Sequence, residues 1–244
     1  MAEPLRLDVA LVEQGLVESR TKAQELIQAG LVEVDGVVVT KPSQAVDPEA
    51  WLEITGSVPY VGRAANKLLG ALAAFHVKIS GLVWADVGAS TGGFTQVLLE
   101  RGARKIYALD VGHGQLHPQL RGSPRVVVME RVNARYLQAL PEPVDGVVMD
   151  VSFISSTLIL PNLHRWLKPG GPALVLVKPQ FEVGPGHAGV VRDPALHRRA
   201  LDRVRRAAKG AGFTEEGMME SPLPGKEGNR EFWLHLKKKP VPAS

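Results

Sequence analysis

The sequence predicts an α/β protein in which a doubly wound, mainly parallel seven-stranded sheet follows a small α+β unit. Three observations carry that prediction. From about residue 62 onward, short apolar strand patterns alternate with amphipathic helical ones. A glycine-rich turn, Gly88-Ala-Ser-Thr-Gly-Gly93, joins the first of these strands to a helix. Before residue 60 the order differs: helix, helix, hairpin, then the turn-rich stretch Thr55-Gly-Ser-Val-Pro59, where a domain boundary is expected between residues 59 and 60.

Each element has a local cause. Leu7, Leu11, Val12 and Leu16 fall at helical spacing. Ser19 suits the N-cap of a second helix, Arg20 to Ala29, and Gly30 suits its end. Asp35-Gly36 sits between runs of valine, and both residues tolerate the positive φ that a tight hairpin demands. A further strand is expected near Trp51–Ile54. In the larger unit, residues 60–240, strands are expected at 83–87, 105–110, 126–129, 144–150, 173–177, 214–220 and 231–236. Helices are expected near 63–76, 94–101, 153–167 and 195–211.

Composition narrows the function classes. The chain has 244 residues, 45% of them hydrophobic, so it can bury a core. It contains no cysteine, which removes disulfides, thiolate metal sites and cysteine nucleophiles and fits a reducing cytoplasm. No metal site is expected. The opening MAEPLRLDVALVEQG is amphipathic and unlike a secretion signal, and the apolar runs are of strand length, so no membrane partner is expected. The net charge of +4 is uneven: residues 1–60 carry four basic and ten acidic side chains, the remainder 25 and 15. The attraction for a polyanion therefore resides in the larger unit.

The glycine-rich turn is the most specific motif. Its glycines permit close approach of a ligand to the backbone, and the helix start that follows presents free amides. In a nicotinamide enzyme a glycine would stand where Ser90 does. Asp86, just before Gly88, suits a cationic amino acid, which points to the methionine end of S-adenosylmethionine. Gly88, Ser90, Gly92, Gly93 and Phe94 complete the turn. Asp110, ending the second strand, is placed for ribose hydroxyls, and Asn133, after the third, for an adenine edge. Glycines chosen only for tight turning and acids only for solubility would leave the same letters.

Four charged residues stand in apolar or strand-end settings: Lys67, Asp150, Lys178 and Glu231. Strand ends of an open parallel sheet face one crevice, so Asp150 and Lys178 should meet there. Singly, each also reads as a snorkelling or solvated side chain.

Together with Arg6-Leu-Asp8, Gly62-Arg-Ala-Ala-Asn-Lys-Leu68, DVGASTGGF, MDVSFIS, VKPQFE and NREF, these residues resemble the hemolysin-A-like (TlyA) family over almost the whole chain. The resemblance implies a ribosomal RNA 2′-O-methyltransferase with an FtsJ-like, Rossmann-like methyltransferase domain using S-adenosylmethionine. It carries a Lys-Asp-Lys-Glu catalytic tetrad onto Lys67, Asp150, Lys178 and Glu231. Asn66 departs from the family's histidine and touches no tetrad role. A ribose hydroxyl is a poor nucleophile, so Lys178, starting near a pKa of about 10.4, either acts as a base activated by burial and Lys67 or only positions the hydroxyl.

The first unit resembles the ribosomal-protein-type RNA-binding domain, which implies phosphate contacts from Arg6, Arg20, Lys22 and Lys41. In the larger unit Arg199, Arg203 and Arg206 share one helical stripe, with Arg192, Arg198, Arg205 and Lys209 nearby. The family modifies cytidines of the large ribosomal subunit, some members also the small one, and the short lead before Arg6 favours the large. Rival readings are a non-catalytic ribosome-assembly factor, a small-molecule methyltransferase and a membrane-active hemolysin.

Overall fold

The computed structural model describes residues 3–56, 60–184, 189–225 and 227–240. Residues 57–59 of the expected boundary, the opening Met1-Ala2 and the last four residues of the tail lie outside the described residues. The chain divides into two units, residues 1–63 and 64–244.

The smaller unit begins with β1 (Leu5–Arg6), α1 (Leu7–Glu13) and α2 (Arg20–Gln28). The Ser19 hydroxyl accepts from Lys22 N at 3.3 Å and caps α2. β2 (Val32–Val34) and β3 (Val37–Val38) form the hairpin around Asp35 and Gly36, both at positive φ, and β5 (Leu52–Ile54) pairs with β2 on its other side. β4 (Ala45–Val46), unforeseen from sequence, pairs with β1. Leu7, Leu11, Ala23, Ile27 and Val32 are wholly buried in one small core.

The larger unit opens with α3 (Ala64–Phe75). It continues through β6 (Val83–Val87), α4 (Gly93–Glu100), β7 (Lys105–Leu109), α5 (Pro118–Arg121), β8 (Val126–Met129) and β9 (Gly146–Met149). A 3₁₀ turn at Ser156–Leu158 leads into α6 (Leu160–Trp166), where one continuous helix was expected; Pro161 sits in the first turn, where its fixed φ and missing N–H suit a helix start. β10 (Pro172–Val177), α7 (Pro179–Glu182), α8 (Pro194–Gly210), β11 (Phe213–Glu220) and β12 (Phe232–Lys238) complete it. The seven strands lie in the order β11-β12-β10-β9-β6-β7-β8. β12 runs antiparallel between β10 and β11, while the pairs from β10 to β8 are parallel. β6 and β9 are buried at every position, as expected of central strands covered on both faces. Trp84 on β6 fills the space that Gly146 leaves on β9, where an added Cβ would lie 2.5 Å from the indole.

Candidate active site

β7 and β8 lie on one side of β6 and β9 on the other, so the winding reverses between β6 and β9 and a crevice opens beyond the strand ends. A cavity of about 500 Å³ occupies it, within the usual range for small-molecule sites. Gly88 and Ser90 after β6, Asp110 after β7, Asn133 after β8 and Asp150 after β9 all line it.

The turn is shaped by its neighbours. Gly88 has φ +86°, and a Cβ there would lie 2.2 Å from the Asp150 carbonyl oxygen. The Asp110 carboxylate accepts from Ser90 N at 2.8 Å and Gly112 N at 2.7 Å, one bond to each oxygen. It thus holds the turn and retains lone pairs for a further donor. Asn133 Oδ1 is engaged by Arg135 N at 3.0 Å, which leaves its amide nitrogen for a ligand edge.

Asp86, Gly92, Gly93 and Phe94 are not among the residues that line the cavity. Phe94 is buried against Trp233, with ring centroids 5.6 Å apart. Gly92, at φ +102°, caps α4, and its missing Cβ makes room for Leu120 and Leu116 rather than for a ligand. Asp86 lies wholly buried beneath the turn, accepting from the Thr95 hydroxyl at 2.6 Å, while its other oxygen has no partner. A buried carboxylate with one unanswered oxygen beside an open cavity fits a site built for a cationic ligand.

Burial raises the Asp86 carboxyl to about 7; the Thr95 hydrogen bond opposes this, and the charges of Asp150 and Asp110 add to it. The folded state therefore holds a proton that the unfolded chain releases near pH 4. Stability from this group is fully present below about pH 4 and is lost as pH rises toward 7. Asp86→Asn removes that loss, so its melting temperature relative to wild type is expected to climb between pH 5 and 7 and level above. Parallel curves from pH 5 to 8.5 would refute the assignment.

The four charged candidates form two ion pairs. Lys178 Nζ lies 2.5 Å from Asp150 Oδ1 and donates to Ser152 Oγ at 2.8 Å. Lys67 Nζ donates to Glu231 Oε2 at 2.6 Å, with both residues buried. The last registered pair of β10 and β12 is Val177 with Phe232, so Lys178 and Glu231 follow as neighbours at the same sheet edge as Asp150.

Sequence reasoning missed the rim. Phe153 lines the cavity at 91% exposure, with φ +64°, and its ring lies 5.3 Å from that of Phe181. A strained, bared aromatic is costly and usually functional. Its signal was its place in MDVSFIS, three residues after Asp150. The loop carrying it is pinned by buried Glu182, which accepts from Ser155 Oγ, Ser156 N and Ser156 Oγ at 2.5, 2.7 and 2.5 Å.

In the smaller unit, Arg6 and Arg20 both bond to Asp8, and Lys41 is exposed on a turn hydrogen-bonded to Leu7 and Asp8. Lys22 is half-buried on α2, away from the face that carries Arg20 and Gln24. On α8, Arg203 donates to the Glu182 carbonyl and Arg205 pairs with Glu215. Arg198, Arg199, Arg206 and Lys209 remain exposed.

Residues 60–238 match the FtsJ-like methyltransferase family. The chain belongs to that family. Residues 5–52 of this FtsJ-like methyltransferase match the S4 domain. It is 48% identical to the 16S/23S rRNA (cytidine-2′-O)-methyltransferase TlyA of Mycobacterium tuberculosis, over 97% of this chain and 91% of that one. It is 34% identical to the 23S rRNA (cytidine-2′-O)-methyltransferase TlyA of Campylobacter jejuni, over 92% and 96%. Hemolysin A of Brachyspira hyodysenteriae is 39% identical over 95% of this chain and 99% of that one. The solved structure of a putative S-adenosylmethionine dependent methyltransferase from Listeria monocytogenes shares the fold at 16% identity and TM-score 0.56, over 72% of this chain and all of that one. Among the described residues, no helix is long and apolar enough to cross a membrane.

Proposed function

We propose that this FtsJ-like methyltransferase transfers the methyl group of S-adenosylmethionine to a cytidine 2′-hydroxyl of ribosomal RNA in the cytoplasm. The pairing of Lys178 with Asp150 at the lip of the cavity carries the reading. Asp150 pairs with the Lys178 ammonium and Ser152 accepts a hydrogen bond from it, which fixes the ammonium where it could hold a ribose oxygen. Lys178 thereby positions the hydroxyl for in-line attack, where alignment supplies most of the rate. Lys67 and Glu231 form the buried second pair that supports this edge.

When bound, the cofactor supplies an electrophilic methyl group. Gly88 and the turn would admit its amino-acid end above Asp86, Asp110 its ribose and Asn133 its adenine. Gly92, Gly93 and Phe94 act through the turn's shape, fixing the start of α4. Phe153 is placed to stack on an unstacked base, a contact that suits single-stranded or flipped RNA. The S4 domain and the exposed basic face of α8 supply phosphate contacts. Both TlyA relatives carry 23S in their names, so the large subunit is the first substrate to try.

The product decides the reaction class. Alkaline cleavage of RNA uses the 2′-hydroxyl, so the labelled product is expected to leave one gap in a hydrolysis ladder, with the added methyl on a sugar by mass spectrometry. Ribosomal subunits from cells lacking the enzyme, tested separately with labelled S-adenosylmethionine, are the substrates. A methylated base with an unbroken ladder would rule out 2′-O transfer.

A further inference from the structure

Asp8 is the least expected residue of the smaller unit: a carboxylate with no exposed surface on a helix of a domain rich in surface acids. Its oxygens are fully engaged. Arg6 reaches it through Nε at 2.9 Å and Nη2 at 3.0 Å, a two-pronged fork, and Arg20 through Nη2 at 3.1 Å. Gln24, one turn beyond Arg20, donates at 2.7 Å. The backbone joins in, since Asp8 N donates to Pro42 O and Leu7 N to Gln44 O, which seats the turn bearing Lys41 beside the cluster. The Arg6 hydrogen bond, with those of Gln24 and Arg20, holds this carboxyl well below the usual carboxylate range, so it stays charged at any working pH.

The two guanidinium groups are treated differently from Asp8. Their side chains remain 48% and 56% exposed. The carboxylate they hold is buried, so pairing it also supports the fold. A free arginine, however, loses much rotamer freedom when it grips a phosphate, and a fork already held in place has lost it beforehand. The carboxylate also lowers the local positive charge, which weakens long-range attraction for RNA. A buried acid between two arginines fixes their geometry at a cost in long-range charge.

We propose that Asp8 is a positioning residue for RNA recognition, holding Arg6 and Arg20 in a preset fork that meets backbone phosphates of the ribosomal substrate. The proposal rests on the reading that these arginines touch RNA. It makes a prediction opposite in sign to simple electrostatics. Asp8→Asn in the full chain adds one positive charge to the domain, yet KM for ribosomal subunits is expected to rise roughly tenfold, with S-adenosylmethionine affinity unchanged. Arg6→Lys keeps a charge beside the buried Asp8 but cannot form the fork, so with its melting temperature measured alongside it should bind as poorly as Arg6→Ala.

An Asp8→Asn enzyme that binds subunits as tightly as wild type or tighter overturns the proposal, as does an Arg6→Lys enzyme with wild-type KM. The Arg6→Ala/Arg20→Ala enzyme separates the remaining cases. If adding Asp8→Asn to it costs nothing further, Asp8 acts through the arginines. If the cost is undiminished, Asp8 serves the fold alone and the proposal fails. If the double-alanine enzyme itself has a wild-type KM, the underlying reading that the arginines touch RNA is what has failed.

Discussion

Lys178→Ala is expected to lower methyl transfer by about 10²-fold, the order of loss that misplaced reactants cause. Lys178 is bonded to Asp150 and Ser152, not to any part of the glycine-rich turn. Calorimetric affinity for S-adenosylmethionine should therefore stay within a few-fold of wild type. Asp150 lines the cavity, so removing the lysine opens its carboxylate to water and the fold should survive. Single-turnover assays on ribosomal subunits read the rate. Near wild-type turnover would show that the lysine does not touch the reacting hydroxyl.

Lys67→Ala should fail for a different reason. Its partner Glu231 is 2% exposed, and the ion pair spans 2.6 Å inside the protein. Removing the lysine strands a buried carboxylate, which costs about 3–5 kcal/mol, a fall in melting temperature of roughly 10 °C for a unit of this size. Lys67→Ala combined with Glu231→Ala or Glu231→Gln removes the stranded charge and should recover most of that loss. If the single variant melts like wild type, the pair is not the support proposed here. The two candidate lysines are thus expected to separate in assays: Lys178 in rate at constant stability, Lys67 in stability first.

The paired strands and helices were legible because their causes are local. Apolar periodicity, the Asp35-Gly36 hairpin and the Gly88–Gly93 turn each act within a few residues, and β6 and β8 fall where their patterns place them. The elements that escaped notice, β1, β4, α5 and α7, have two to four residues, too few to display a period. β1 and β4 exist because each is the other's distant backbone partner, as Leu5 and Val46 pair, while α5 and α7 are single turns closed by their own local bonds.

The sequence by itself determined which kinds of side chain stand at the strand ends, since each end follows its own apolar run. Only the tertiary structure decided who meets whom. Lys67 and Glu231 lie 164 positions apart and become one buried pair because β12 inserts antiparallel beside β10. It also decided depth. Asp86 and Asp110 look alike in sequence, yet one is sealed beneath the turn and the other lines the cavity, because a side chain's environment is set by the layer above it. Phe94 went to the core and Phe153 to the rim for the same reason. Arg6 and Arg20, read singly as charges, became two arms of one fork only when α1 and α2 closed on Asp8.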